Sequence, residues 1–285
     1  DNDENRYRLS ELFDAIDCLN LNITFSGFAK PKSVCNPLNK FLLLKMRRIG
    51  FSHLFLGIDA GNESDIKLYN KRLNLDESIQ ALKILKNIGI SSRYGLIFFN
   101  PYTSLDSMRG NYHFLLRAKS TNYYHYGGLF VQLLAGTKLL ERVREDGLLK
   151  KDFSFINTTG YKYYNPEISR YAEFIRDEFL IKADAIRWQF NTLKRNYELT
   201  RTVNSKAEKY KDFLRIYEEI EFQAIKEYFW HLYENNDINY CRDNLDSFIS
   251  AMSYRASCYN NVIKSLKELY ESVPIRKDEK HVSNK

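Results

Sequence analysis

From residue 21 to residue 147 short apolar runs alternate with amphipathic stretches. The run LNITFS (21–26) is β-branched and aromatic and stops at Gly27, which predicts a strand. Residues 36–50 follow with helical spacing, Pro37 in the first turn and Gly50 at the end. HLFLGI (53–58) is a second strand. Residues 75–89 form a helix with Leu75, Ile79, Leu82, Leu85 and Ile88 on one face and Gly89 as its stop. SSRYGLIFF (91–99) is a third strand, closed by Asn100-Pro101, and 104–118 is a helix opened by Ser104. YGGLFVQLL (126–134) is a fourth strand, and 136–147 a fourth helix ending at Gly147. Four strand–helix units in succession predict a parallel sheet with right-handed crossovers. The strands are almost continuously apolar, as expected where both faces are covered. Four units are few for a closed barrel, so an open or incomplete barrel sheet with an edge to cover is expected.

Beyond Asn165 the period changes. Apolar residues at 168, 171/172, 175, 179, 186, 190, 193 and 197 form a helical stripe. Ser205 and Glu208 make a capping-box signature. A second stripe follows through Tyr210, Phe213, Ile216/Tyr217, Ile220, Ala224, Phe229 and Leu232. A third helix is expected over about 243–271, with Leu245, Phe248, Met252, Ala256, Val262, Leu266 and Leu269 inward. Residues 146–165 read as a loop with a short hairpin, and 274–285 as a polar tail. The expected organisation is an α/β region over 1–165, a helical region over 166–273, and the tail.

Composition adds limits. The 285 residues are 44% hydrophobic and 28% charged, ordinary for a globular protein. Lys and Arg outnumber Asp and Glu 43 to 36, but the cations sit among acids on helix faces, so no nucleic-acid stripe stands out. No apolar run is long enough to span a bilayer, and the opening DNDENRYRLS is no secretory signal; a cytoplasmic setting is expected. Cys18, Cys35, Cys241 and Cys258 have no close ligand spacing, and no two of the five histidines stand four apart. His125, among the tyrosines of TNYYHYGG (121–128), reads as packing.

Residues 57–71, GIDAGNESDIKLYNK, deliver an acid, Asp59, to the end of a strand. In parallel α/β proteins strand tips carry chemistry; an Asp there also starts turns or caps helices. With ALKILKNIGI (81–90), LIFFNPYTSLDSMRGNYHFL (96–115) and GTKLLERVREDGLL (136–149), this order of motifs resembles the later two-thirds of a radical S-adenosylmethionine barrel, in the branch associated with cobalamin-binding domains. The resemblance covers about residues 1–165. The helical region resembles no family we can name.

The resemblance implies S-adenosylmethionine as cofactor. It points to Asp1 and Asp3, matched to the acidic tip of the barrel's second strand, and to Asp59, matched to the glutamate of a G-I-E motif one methylene longer. Arg93 on the third strand suits a carboxylate if it faces the barrel interior, and a solvated position at the strand's start is the alternative. Asn100, Pro101 and Thr103 match the loop after that strand, and Lys71 matches a lysine frequent in the family, though a solvated helix end is the simpler account of it. The family's CxxxCxxC, which holds a [4Fe–4S] cluster, is absent from the chain, so the cluster's ligands are expected outside it. Cobalamin is a further implied cofactor, with no motif for it here. Two readings stand: a part of a longer or split radical enzyme acting on a small molecule or peptide, completed by an upstream cluster-binding segment or subunit; or a degenerate, non-catalytic binding or partner module.

Overall fold

The computed structural model describes residues 3–21, 23–155, 160–184 and 211–271. The chain opens with helix α1 (Asp3–Cys18), followed by β1 (Phe25–Ala29), α2 (Pro31–Cys35), a 3-10 turn (Pro37–Asn39), α3 (Lys40–Arg48) and β2 (Phe51–Leu56). Then come α4 (Glu63–Leu68), α5 (Leu75–Ile88), β3 (Ser91–Tyr94), β4 (Ile97–Phe99), α6 (Leu105–Arg117), α7 (Tyr123–Gly127), β5 (Leu129–Phe130) and α8 (Lys138–Glu145). The strands form two parallel sheets, β1-β2-β3 and β4-β5. The fold is thus mixed α/β with parallel strands and helical crossovers.

Several expected elements shift, each for a local reason. The acidic opening begins a helix, not the end of a strand: Asp3 and Glu4 occupy the first turn of α1, where carboxylates complement the exposed amide dipoles. The first strand starts at Phe25 rather than 21. The expected helix over 36–50 opens as a 3-10 turn capped by the Asn36 side chain and runs on as α3 to Arg48, and Pro31 starts a separate short helix before it. The expected strand 91–99 breaks at Gly95-Leu96 and its halves join different sheets. The backbone comes close to neighbouring side chains at Gly95, where a Cβ would lie 3.3 Å from Leu129. The expected strand 126–134 keeps only two residues, since Tyr126 is drawn into α7 by its hydroxyl donating to the Ser120 carbonyl at 3.0 Å. Gly128, at φ +67°, then redirects the chain. Helices α5 and α6 match expectation closely, with Gly89 left-handed at one end and Ser104 closing a capping box at the start of the other.

The first sheet has unlike faces. Leu54, Leu56 and Tyr94 are buried beneath the helices. On the opposite face Phe28, Phe55 and Arg93 stand in register across the three strands, and Phe28 is 86% exposed. Phe28 and Phe55 pack ring against ring at 5.5 Å. Between α8 and residue 168 the expected loop has one antiparallel bridge, Leu149 to Tyr161.

Helix α9 (Ile168–Glu173) continues through a π-helical stretch, Phe174–Phe179. The capping pair Ser205 and Glu208, and the tail 274–285, lie outside the described residues. Further on come α10 (Lys211–Tyr233), α11 (Ile238–Asp243) and α12 (Leu245–Glu271). The expected inward positions Leu245, Phe248, Met252 and Ala256 of α12 are buried. On α10 the face is rotated: Phe222, Ile225, Tyr228, Phe229, Leu232 and Tyr233 are buried, while Ile216 is 58% exposed. Two apolar stripes compete on this helix, and the one that meets α6 and α7 wins. Tyr112, Tyr126, Phe229 and Tyr233 pack ring to ring there. Two of the buried tyrosines also donate to backbone carbonyls: Tyr112 to that of Lys226 at 3.0 Å and Tyr228 to that of Cys241 at 2.6 Å. One continuous apolar core therefore joins the strand–helix region to the later helices. Glu234 closes the seam, reaching Arg109 at 3.1 Å and His113 at 2.8 Å.

Two glycines separate backbone strain from packing. Gly136 and Gly128 share a positive φ, but a Cβ on Gly136 meets open space while one on Gly128 would lie 2.4 Å from Phe98. We expect Gly136→Ala to lower unfolding free energy by about 1 kcal/mol, and Gly128→Ala by roughly 1–3 kcal/mol more. Chemical denaturation of the two variants checks this; equal losses would mean the close approach at Phe98 relaxes freely.

Candidate functional site

The segment 57–71 leaves β2 and crosses toward β4. Gly57 donates its backbone N–H to Ala29 at 3.2 Å, and the Asp59 carbonyl accepts from the Ile97 N–H at 2.9 Å. These bonds fix the Asp59 backbone between the two sheets. Its carboxylate forms an ion pair with Lys71. The Asp59 side chain is 26% exposed and that of Lys71 48%. Oδ2 of Asp59 is shielded from solvent and has the lysine ammonium as its charge partner, without a hydrogen bond of good geometry. Lys71 is thus more than a solvated helix end. Its backbone N–H returns to the Ile66 carbonyl at 3.0 Å, past Asn70 at φ +50°.

Beneath this pair lies a buried polar cluster. Asn62 caps α4: its Oδ1 accepts from the Asp65 N–H at 2.9 Å and from Ser64 at 2.6 Å. Its Nδ2 donates to Asp65 Oδ2 at 2.7 Å, to the Ser107 carbonyl at 3.1 Å and to Asn111 Oδ1 at 3.0 Å. Asn111 also accepts from the Gly61 N–H at 2.7 Å and donates to the Ile97 carbonyl at 3.2 Å. Asp65 is 2% exposed, and Asn100 donates to its second oxygen at 3.0 Å. Burial pushes the Asp65 carboxyl above the usual carboxylate range, while its amide donors pull the other way. Burial, with the Asp65 charge nearby, pushes the Tyr69 phenol far up, so it stays a neutral hydroxyl. The cluster needs close helix–loop contact: a Cβ on Gly61 would lie 2.5 Å from Phe114 and one on Gly110 2.7 Å from Asn62.

The expected site residues separate into different environments. Asp1 lies outside the described residues. Asp3 is an exposed residue of α1 paired with Arg6, so it is not at a strand tip. Asn100 is buried and engaged within the protein: Nδ2 reaches Asp65 and Tyr69, and Oδ1 accepts from the Tyr102 N–H at 2.8 Å. Arg93 is exposed and lies on the sheet face that the helices leave open. Asp59 holds the end of β2, while Arg93 stands within β3. Thr103 turns inward, accepting from the Asn100 N–H at 2.8 Å. His125 packs as expected, on the Tyr94 ring at 4.6 Å. The Asn62–Asp65–Asn111 cluster was missed, although Asn62 with Asp65 three residues on is the spacing of a helix cap. Asn111 carries no local signal, since its role depends on α6 packing against the loop.

The cysteines do not fit an iron–sulfur cluster, which needs several thiolates on one side. Cys18 ends α1, Cys35 ends α2 with its thiol on the Glu77 carbonyl at 3.2 Å, and Cys241 is buried in α11. Burial pushes the Cys241 thiol up to about 12. Among the described residues no group of three or more His, Cys, Asp or Glu is placed to hold a metal ion, and no helix is long and apolar enough to cross a membrane.

No family model matches the chain. A curated relative, 4'-phospho-dehydrooxetanocin synthase of Priestia megaterium, is 27% identical over 116 residues, 40% of this chain and 14% of that protein. The fold is similar to solved structures of the cobalamin-dependent S-adenosylmethionine radical enzyme OxsB. The aqua-cobalamin form matches with TM-score 0.54 at 14% identity, covering 94% of this chain and 45% of that one. The form with aqua-cobalamin and S-adenosylmethionine matches at 0.53 and 15%, covering 93% and 45%. The chain therefore spans less than half the length of the solved enzyme it resembles. The radical S-adenosylmethionine likeness read from the motifs is matched by these relatives.

Asp65 gives a pH-dependent prediction. A carboxyl raised in the folded state contributes stability below its unfolded value, near 3.8, and loses it as pH rises through the folded value. We expect Asp65→Asn to remove that downward slope. At neutral pH the variant should lose about 1–3 kcal/mol, because an amide donor replaces an acceptor facing two donors. Urea unfolding of both proteins from pH 4 to 8 measures it; parallel pH curves would show that Asp65 titrates as in the unfolded chain.

Proposed function

We propose that the chain is the S-adenosylmethionine and substrate side of a radical enzyme, with residues 1–165 as part of a (β/α) barrel and 166–273 as its helical cover. The observation that carries this reading is the open sheet face, where Phe28, Phe55 and Arg93 line up in register on parallel strands. In a barrel the helices cover the outside, so the face they leave bare is the enclosed one. An arginine fork there suits a carboxylate, and an exposed aromatic pair suits a planar purine. Asp59 at the end of β2 offers negative charge to a sulfonium or ammonium group. S-adenosylmethionine, once bound, supplies an adenosyl group and an activated sulfonium; the residues here bind and orient it.

The cluster is assigned to a segment or subunit outside this chain, because the cysteines present are dispersed. Cobalamin is the second cofactor of this reading, supported by the likeness to an enzyme solved with it. The substrate class is a small molecule or a peptide. The later helices pack on α6 and α7 and leave Phe28 bare, so they support the sheet from the outside.

Arg93→Ala should weaken S-adenosylmethionine binding about tenfold, the loss of one charge-assisted contact, with an unchanged melting temperature because the side chain is exposed. Calorimetric titration of the anaerobically reconstituted parent protein measures the first, and thermal unfolding the second. A parent protein that binds no S-adenosylmethionine and releases no 5′-deoxyadenosine would instead be a non-catalytic partner module.

A further inference from the structure

We propose that Lys71 is a built-in competitor for a cation seat at Asp59, and that an entering ligand's ammonium or sulfonium displaces it. The inference rests on the function proposed above, since it takes the ligand at the strand ends to be an organic cation.

The two partners are held differently. Asp59 is fixed through its own backbone: the Ile97 N–H binds its carbonyl, and two residues on the Gly61 N–H is held by Asn111. The carboxylate therefore stays where β2 ends. The Lys71 backbone is held by the bond to Ile66, and its ammonium, among the described residues, by the ion pair alone. Its ammonium rides on a four-carbon stem, and the side chain is half exposed. Detaching it leaves the backbone undisturbed.

The pair is also a single lysine contact, where some of the molecule's other carboxylates are gripped twice. Arg242 grips Glu178 through two nitrogens at 2.7–2.9 Å. Glu234 is shared between Arg109 and His113. Asp59 has a single flexible lysine, and its shielded Oδ2 makes no well-formed hydrogen bond among the described residues. A desolvated carboxylate oxygen wants a positive partner at all times. Lysine meets that need without ligand, and a cation of better shape meets it with ligand. An ion pair this exposed is weak, equivalent to a factor of about five or less in binding, so displacement is affordable for a ligand with further contacts. Lysine also repels a ligand cation that is not seated well enough to replace it, which makes it a filter.

The test follows Lys71 itself. Reductive methylation of the parent protein, read by mass spectrometry, reports whether its ammonium is free. The probes are S-adenosylmethionine and S-methylmethionine, a sulfonium without the nucleoside. We expect saturating S-adenosylmethionine to raise Lys71 modification several-fold, to the level of Asp59→Asn without ligand. In titrations Lys71→Met should bind S-adenosylmethionine about two- to fivefold more tightly than the native protein. If S-adenosylmethionine binds while Lys71 modification and the affinity of Lys71→Met stay unchanged or the affinity falls, the competitor role is overturned and the proposed function stands. If S-adenosylmethionine does not bind but S-methylmethionine raises Lys71 modification, the competitor role stands and the nucleoside reading is overturned. If neither probe binds or changes the lysine, both are overturned.

Discussion

A carboxylate without a cation organises this molecule. Asp65 is buried, it has no ion pair among the described residues, and neutral amides from Asn62 and Asn100 satisfy its two oxygens. Such a group is tolerated only if every donor is in place, since an unsatisfied buried charge is far more costly than a missing surface contact. The donors come from different parts of the chain. Asn62 belongs to the loop after β2, Asn100 to the end of β4, and Asn111, which orients Asn62, to α6. Meeting one carboxylate's need thus fixes a loop, a strand end and a helix in a single arrangement. Gly61 and Gly110 are the steric condition for it, because neither approach leaves space for a side chain.

Much of this was legible in the sequence where the signal is local. The α5 stripe, its glycine stop and the Ser104 cap depend on residues within one helix, and they stand as read. The strands were less legible because apolar runs do not mark where a strand ends. SSRYGLIFF reads as one strand, yet its single glycine lets the chain leave one sheet and enter another. On α10 the pattern held two apolar faces, and only α6 and α7 decide between them. Asn100 shows the same limit at the site. Its position after β4 suggested a ligand contact, but its donors are spent on Asp65 and Tyr69. Whether a polar side chain at a strand end faces outward or inward is a tertiary fact.

The unlike faces of the first sheet follow from the same economy of helices. Leu54, Leu56 and Tyr94 have helices to pack against, whereas Phe28 is mostly exposed and packs on Phe55. An aromatic ring left in water is unfavourable by its apolar area, and edge strands with such rings are usually blunted by charge. Arg93 supplies charge in the same row, on the strand farthest from β1. On the function proposed above, a face with aromatic rings at one side and a guanidinium at the other would take a ligand with a flat ring and an acid.

Rigidity and looseness are therefore distributed in a consistent way. The buried cluster around Asp65 makes many short bonds and has no freedom to rearrange one at a time, because each lost donor strands another polar atom. The ion pair above it has one contact and a flexible partner. A binding group must be held still to be specific, while whatever occupies it without ligand must be easy to remove; tight networks provide the first and exposed lysines the second. On the proposed reading Asp59 meets both conditions, because its backbone belongs to the network and its charge partner does not. A more rigid partner, such as an arginine gripping with two nitrogens, would fix the carboxylate equally well but would hold it shut.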